Sequence, residues 1–412
     1  MNATSSKTST PSPIQLTSRA EFLLLMMMAG VQFTHIMDFM IMMPLGPQLM
    51  RLFDITPKQF GFIVSSYTLT AGATGFFGAF FVDRFDRKKA LLFSYVGFAL
   101  GTLACALAPT FEFLLAARSL AGAFGGVLGA LILSVIGDAI PGERRGRAMG
   151  VVMASFSVAS IFGVPFGLFL ANLSSWHAPF YFVGGAAAVN AILIFFYMPR
   201  MTQHMENGGS SRSPVELMKI IGSDVNQLKA LLFTFLLMFS QFSIVPYLSP
   251  YMVSNVGFTE AQLPYIYFFG GGLTIFTSPL VGRLADRYGK ALIFTVGSFL
   301  VLIPMLIITN LSATTLPIAL LVTTGFFVFS NSRFVPSMAM VTSTVPSEIR
   351  GGFMSINSSV QSLASSLAAL CSGYIVGKSV EGQLTNYNVV GYIAVTVSVT
   401  AVFIGRRLVS RN

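Results

Sequence analysis

The chain has 412 residues, of which 54% are hydrophobic and only 10% are charged. Soluble globular proteins carry roughly a quarter charged residues, so this chain has too few charges to cover a water-exposed surface. The composition argues against an ordinary soluble enzyme. It favours a protein that lies in lipid, where roughly 20 apolar helical residues cross the bilayer.

Twelve apolar stretches follow one another along the chain, each long enough to span a membrane as a helix. Their polarity does not alternate as it does in membrane β-strands, which predicts an all-α membrane protein. The first stretch is too long for the core of a secretory signal, so we expect it to be retained. The predicted helices cover 22–47, 60–83, 89–108, 111–138, 147–171, 178–198, 228–252, 262–285, 290–310, 314–344, 352–376 and 388–405.

The predicted helices fall into two groups of six, and two pairs of landmarks repeat between the groups. Asp286 follows Asp83 by 203 residues, and Pro346 follows Pro141 by 205 residues. Two nearly equal spacings predict a duplicated six-helix unit, a plan that recurs in transporters. The expected organisation is a disordered tail (1–19), a first bundle (20–198), a cytoplasmic linker (199–227), a second bundle (228–405) and a short tail (406–412).

The net charge of +10 predicts an orientation rather than a nucleic-acid surface. With both termini cytoplasmic, twenty Lys and Arg residues fall in the inside loops and tails and three in the outside loops. Such an excess marks the cytoplasmic side of a cell-membrane protein, here expected to be a bacterial inner membrane. Two cysteines and three histidines are too scattered to predict a disulfide or a metal site.

Two loops carry the same short motif. The segment 282–290 reads Gly-Arg-Leu-Ala-Asp-Arg-Tyr-Gly-Lys, and the segment 83–88 repeats its Asp-Arg and its basic run. The motif resembles the signature loop G-x-L-A-D-R-x-G-R/K of the major facilitator superfamily, although Ala79 and Asp86 replace the two glycines in the first copy. The resemblance covers residues from about 20 to 405. It implies twelve membrane helices in two six-helix bundles related by a pseudo-two-fold axis.

These loops predict a gate on the cytoplasmic side. An acid at a helix C-terminus faces the negative end of the helix dipole, so it needs a positive partner. In the resembled fold, each acid meets the first turn of a helix in the other half when that side is closed, which stabilises one of two states. The alternative is a plain topology signal. The gate candidates are Asp83, Arg84, Arg87, Lys88, Asp138, Gly282, Asp286, Arg287, Gly289 and Lys290.

The fifth predicted helix contains Gly163-Val164-Pro165-Phe166-Gly167. This sequence resembles the G-P-x-x-G signature of drug:proton antiporters, which implies exchange against protons through Gly163, Pro165 and Gly167. Glycine permits close packing and Pro165 removes a backbone hydrogen bond, so a kink is expected. The alternative is ordinary helix packing by small residues.

The first predicted helix places His35 and Asp38 on one face, three residues apart. Burial raises the pKa of a carboxylate, whereas a nearby arginine lowers it. A proton carrier needs both influences, because it must bind the proton in one state and release it in another. Arg118 is the candidate partner, in a segment similar to the family motif R-x-x-Q-G with Ala121 in place of the glutamine. We expect Asp38 to carry the proton, with Arg118 and His35 tuning it. The alternatives are a fixed ion pair and an arginine that reaches the interface.

Arg333 is a second arginine inside a predicted helix, where it could meet substrate or polar neighbours. Other polar side chains at helical positions could line the same cavity. The candidates for a substrate cavity are Gln32, Gln241, Tyr247, Tyr251, Asn331, Arg333, Asn357 and Gln361.

Taken together, these features favour a monomeric, proton-driven exporter of small amphipathic molecules such as drugs or sugars. The sequence has no nucleotide-binding G-x-x-x-x-G-K-[ST] loop, so an ion gradient is the expected energy source, without a cofactor. Three alternatives stay open: a facilitator or symporter of a metabolite on the same fold, a non-transporting sensor, and a membrane enzyme. The repeated loops would have no role in an enzyme.

Overall fold

The structure, a computed structural model, describes residues 17–81, 84–202, 214–346 and 349–410. Within these residues, twelve long helices follow one another and are labelled in chain order. They are α1 (Ser18–Ile41), α2 (Pro57–Phe81), α3 (Arg87–Ala106), α4 (Phe111–Ala139), α5 (Gly142–Leu173), α6 (Ala178–Tyr197), α7 (Val225–Val256), α8 (Leu263–Tyr288), α9 (Lys290–Thr309), α10 (Leu316–Ser343), α11 (Arg350–Ile375) and α12 (Tyr387–Gly405).

Each predicted apolar stretch coincides with one of these helices, which confirms the all-α membrane fold. Among the described residues, nine of the helices are long and apolar enough to cross a membrane by composition. The other three, α2, α8 and α11, are equally long but rich in Gly, Ser and Thr. α2 packs along α11, and α8 packs along the second part of α5. Small side chains let helices approach closely, so these three helices join the two halves.

The helix boundaries differ from the sequence-based ones where a cap or a proline intervenes. α1 begins at Ser18, where the Thr17 side chain accepts from the Ala20 N–H, and residues 1–16 lie outside the described part. α1 ends at Ile41, because Pro44 disfavours helix in the residue before it, and a separate short helix, Gly46–Leu52, follows. The predicted linker contains another short helix, Pro214–Ser223.

Three of the long helices are irregular inside the bundle. α4 has a break at Gly126 and Val127, which lie between its two α-helical parts. α5 contains a π turn at Ala159–Gly163, immediately before Pro165. Pro165 has no N–H to donate, so the wider turn is the expected response to it. α7 ends in a second π turn, Met252–Val256.

The two ends of the bundle have distinct contacts. We call one end the linker end, because the end of α6 and the short helix Pro214–Ser223 lie there together with the start of α1 and the end of α12. The other is the far end, where the Gly46–Leu52 helix, the 3-10 turn Glu260–Gln262 and a two-residue hairpin lie. In this hairpin, β1 (Gly377–Lys378) pairs antiparallel with β2 (Leu384–Thr385).

The halves meet tightly from the far end to the middle of the bundle. The Tyr247 hydroxyl donates to the Pro57 carbonyl at 2.9 Å, and the Ser366 hydroxyl donates to the Ser65 carbonyl at 3.1 Å. Arg51 pairs with Glu260 across the halves at 2.5 Å. One apolar cluster at this end contains residues of both halves, whereas the two clusters near the linker end draw their buried residues from one half each. The far end is therefore closed.

Candidate functional site

A buried ion pair lies inside the first half. Asp38 of α1 accepts from the Arg118 guanidinium of α4, with Nη1 and Oδ2 2.7 Å apart. Neither side chain is more than 1% exposed. The Thr102 hydroxyl of α3 donates to the other carboxylate oxygen at 3.1 Å. Both oxygens of Asp38 therefore have a donor, as a carboxylate needs when it is charged away from water.

Tyr67 of α2 completes this site, and the sequence analysis missed it. The Arg118 guanidinium lies 4.3 Å from the centroid of the Tyr67 ring, within the range of cation–π contact. Close approach of α2 and α4 makes this contact possible. A Cβ atom on Gly122 would stand only 2.3 Å from the Tyr67 carbonyl oxygen, so glycine is required there. His35 lies beside the same ring, at a centroid distance of 6.4 Å.

The glycines of the Gly-Val-Pro-Phe-Gly segment pack against the part of α1 that carries Asp38. A Cβ on Gly167 would stand 2.7 Å from the Ile41 side chain, and one on Gly163 would stand 3.3 Å from Met37. The π turn next to Pro165 also contacts α8 of the second half. The motif therefore lies between α1, which carries Asp38, and the second half. A movement of the second half would shift α1 through this contact.

A second buried arginine lies in the other half, and no acid among the described residues pairs with it. Arg333 of α10 is 1% exposed. Its guanidinium donates to the Gln241 side-chain oxygen of α7 at 2.8 Å and to the Ser398 hydroxyl of α12 at 2.8 Å. The fold thus brings together the sequence-based cavity candidates Gln241 and Arg333, in a hydrogen bond between a charged donor and a neutral acceptor rather than an ion pair.

The other cavity candidates lie apart from this pair. Tyr247 is buried in the contact between the halves, and the Tyr251 hydroxyl donates to the Leu311 carbonyl at 3.0 Å. Asn331 donates to Ser278 at 2.5 Å, and Gln361 makes a weak contact with the Met338 sulfur at 3.8 Å. Gln32 is partly exposed, whereas Asn357 is fully buried, and its amide atoms have no partner among the described residues.

The first gate loop is held by local contacts at the linker end. The Arg87 guanidinium donates to the Asp138 carboxylate at 2.9 Å, and Lys88 donates to the Met198 carbonyl at 2.6 Å. Asp86 caps α3, accepting from the Lys88 N–H at 2.8 Å. This cap explains why an aspartate can replace the motif glycine here. Asp83 lies outside the described residues, and Arg84 is exposed.

The second gate loop forms no hydrogen bond or ion pair with the described residues of the first half. Asp286, Arg287, Gly289 and Lys290 are exposed, and a Cβ on Gly282 would meet no atom within 4 Å. Gly289 has a φ of +96°, a conformation that favours glycine, so this copy keeps the motif residue that the first copy lacks. Within the described residues, no salt bridge of Asp286 is formed, in contrast to the closed far end.

The chain is similar in sequence to known membrane transporters. The family model of the Major Facilitator Superfamily matches residues 28–369. The chain is 29% identical over 281 residues to the uncharacterized MFS-type transporter YwfA of Bacillus subtilis, covering 65% of each chain. It is 27% identical to Multidrug resistance protein 3 of the same species, over 53% of this chain and 46% of that protein. The chain therefore spans about two thirds or less of the length of these relatives.

A solved structure shares the overall fold. The crystal structure of a bacterial homologue of the human lysosomal transporter Spinster, inward-facing and unoccupied, matches with a TM-score of 0.75 at 15% identity. The match covers 95% of this chain and 98% of that chain. With the family model spanning most of the chain and the fold shared along its whole length, the protein belongs to the major facilitator superfamily and is an integral, multi-pass membrane transporter rather than an enzyme.

Proposed function

We propose that this transporter is a proton-coupled antiporter that exports small amphipathic molecules, such as drugs or sugars, by alternating access. The observation that carries the proposal is the buried pair of Asp38 and Arg118. A carboxylate at this depth can be stabilised either by an arginine or by a proton, and the two options compete. A change in the distance between α1 and α4 would shift that competition and so take up or release a proton.

The placement of the pair gives a route for coupling to substrate. Asp38 is followed on α1 by Phe39, whose ring lies 5.8 Å from that of Phe242 on α7. The packing of Gly167 against Ile41 links the same stretch of α1 to α5. A rearrangement of the halves would therefore move the part of α1 that carries Asp38 and change the surroundings of its carboxylate. Such linkage between proton and substrate is reciprocal, because each must change the affinity for the other.

In this proposal the protein works as a monomer in a bacterial inner membrane, with both termini in the cytoplasm. The motivation is the split of twenty basic residues against three, which favours a cytoplasmic linker end. The exposed second gate loop at the linker end and the contacts between the halves at the far end would then favour an inward-facing state. In a background without Cys105 and Cys371, a single cysteine at Gly208 should react with an impermeant maleimide only after cells are permeabilised. Labelling in intact cells would show that the linker is outside the cell and would contradict the proposed orientation.

The direct test of antiport uses proteoliposomes with a pH-sensitive dye trapped inside. Compounds are first chosen by their ability to raise the melting temperature of the purified protein. We expect an imposed compound gradient to drive protons in the opposite direction. Compound flux without proton movement would instead support a facilitator, and movement in the same direction would support a symporter. Binding without any flux would point to a sensor.

A further inference from the structure

The two halves differ in the charge beside their buried arginine. Gln241 on α7 comes 203 residues after Asp38 on α1, the spacing that also separates Asp83 from Asp286. By this register Gln241 occupies in the second half the place that Asp38 occupies in the first. Arg333 comes from α10, the counterpart of the helix that carries Arg118, but it follows Arg118 by 215 residues and so lies twelve positions further along its helix than the 203-residue register would place it. An amide oxygen thus stands where a carboxylate oxygen would complete an ion pair.

Within residues 214–346 and 349–410, the second half therefore holds a buried positive charge without a counter-charge beside it. Arginine remains protonated in proteins, and a buried cation is costly unless a negative group lies near it. Among the described residues, the acids of this half and of the linker lie at helix ends or in connections. They are Glu216, Asp224, Glu260, Asp286 and Glu381. In the part of the chain that the structure describes, Arg333 donates only to the neutral Gln241 and Ser398 side chains, each at 2.8 Å.

The side chain of Gln241, which takes the place of an acid beside Arg333, lies close to the contact between the halves. Gln241 is only half-buried, and the ring of the next residue, Phe242, lies tilted against that of Phe39 of the first half, with the centroids 5.8 Å apart. A neutral amide can rotate away from Arg333 if another oxygen replaces it. The flat guanidinium has paired N–H groups that match the two oxygens of a carboxylate, and the charge strengthens both bonds.

We propose that Arg333 and Gln241 form a binding site for the carboxylate, or a similar oxyanion group, of an amphipathic substrate. The Gln241 oxygen fills the site until the substrate carboxylate displaces it. This inference rests on the proposed transport function and specifies its substrate class. The anionic group supplies in the second half the charge that Asp38 supplies in the first.

The test measures binding alone, so it does not depend on coupling to protons. Purified full-length protein in detergent is titrated at constant pH with benzoate, 2-naphthoate and octanoate, each paired with its carboxamide and its amine analogue. Thermal stability reports binding. We expect at least one carboxylate to bind about tenfold or more tightly than its neutral amide, the worth of about one charged hydrogen bond. If no carboxylate is preferred, the proposal is wrong.

Two variants decide whether the preference belongs to this site. Gln241→Glu supplies an internal carboxylate to Arg333, so it should remove the preference without lowering the melting temperature. Arg333→Gln should remove it as well, and if that variant does not fold, Gln241→Glu decides. The matched control is Gln262→Glu, the same change in a far-end turn, which should keep the preference. A preference that survives Gln241→Glu overturns the assignment.

The same measurement separates this inference from the proposed antiport. Asp38→Asn should retain the carboxylate preference, because the substitution lies in the other half. A carboxylate preference in a protein that shows no proton flux would refute the antiport and leave the anion site standing. Proton flux with cationic or neutral compounds, and no carboxylate preference, would refute the anion site and leave the antiport standing.

Discussion

Arg118 in the first half and Arg333 in the second are each only 1% exposed inside the bundle. Arg118 faces the carboxylate of Asp38, whereas Arg333 faces an amide and a hydroxyl. Removing one partner of a buried ion pair leaves the other charge uncompensated. Removing a buried cation that has no ionic partner leaves no charge behind. The comparison teaches that the two halves can share a buried cation while only one has a titratable group beside it.

The largest expected difference between the two arginines is in stability. Arg118→Gln should lower the free energy of unfolding by about 3 kcal/mol, because it strands the Asp38 carboxylate. Arg333→Gln should change it by less than about 1 kcal/mol, because no acid is stranded. Reversible unfolding of both variants in mixed micelles gives the two values. Equal losses would show that Asp38 and Arg118 are not held together by their charges.

The role of Tyr67 in the first half can be tested through the glycine that admits it. Gly122→Ala would place a Cβ atom 2.3 Å from the Tyr67 carbonyl, forcing α2 and α4 apart. We expect a loss of about 2 kcal/mol in unfolding free energy and weaker transport. Gly129→Ala is the matched control on the same helix, where the added Cβ meets no atom within 4 Å. If both substitutions behave alike, close packing of α4 does not position Tyr67.

The gate loops extend the comparison to the linker end. Asp286→Asn and Asp83→Asn should disfavour closure of this end by about 1–2 kcal/mol each, which would shift the population several-fold toward the open state. Distances between spin labels on the linker ends of α2 and α11 measure the shift. Glu112→Gln, an exposed acid at the opposite end of the bundle, is the control. Distance distributions that stay the same in both variants would refute the gate.

The smallest shift between the open and closed states is expected from a substitution at the far end, and it should favour opening of that end instead of the linker end. Glu260→Gln should weaken the pair with Arg51 and favour opening of this end by about 0.5 kcal/mol, because the Arg51 side chain is 64% exposed and screened by water. Spin labels on the far ends of α2 and α8 should show a slightly larger open fraction. A shift as large as that from Asp286→Asn would contradict this ranking.

The pairing of Asp38 with Arg118 was predictable because charges are rare inside a membrane. The predicted helices of the first half contain few charged residues away from their ends, and a charge at membrane depth needs an opposite charge nearby. The fold brings Asp38 and Arg118 together. The twelve helices were predictable for a related reason, since length and hydropathy are set by the bilayer. The helix end at Ile41 depends instead on Pro44, a local effect that a hydropathy window averages away.

The role of Tyr67 was not predictable, because aromatic residues make up 13% of the chain and most of them pack against apolar neighbours or face lipid. Its contact with Arg118 depends on how closely α2 approaches α4, which sequence spacing does not reveal. The same holds for the contact of Arg333 with Gln241, which joins helices far apart in the chain. Contacts between helices depend on rotation about the helix axis, and only the assembled bundle shows it.

The measurement that tests the central claim most directly is transport by Asp38→Asn in proteoliposomes. Uphill movement of a substrate under an imposed pH gradient is compared with exchange of labelled for unlabelled substrate without a gradient. If Asp38 is the proton site, the variant should lose uphill transport and its pH dependence but retain exchange and substrate binding. If Asp38→Asn still moves substrate uphill with the pH profile of the unsubstituted protein, the proton travels elsewhere and the account is wrong.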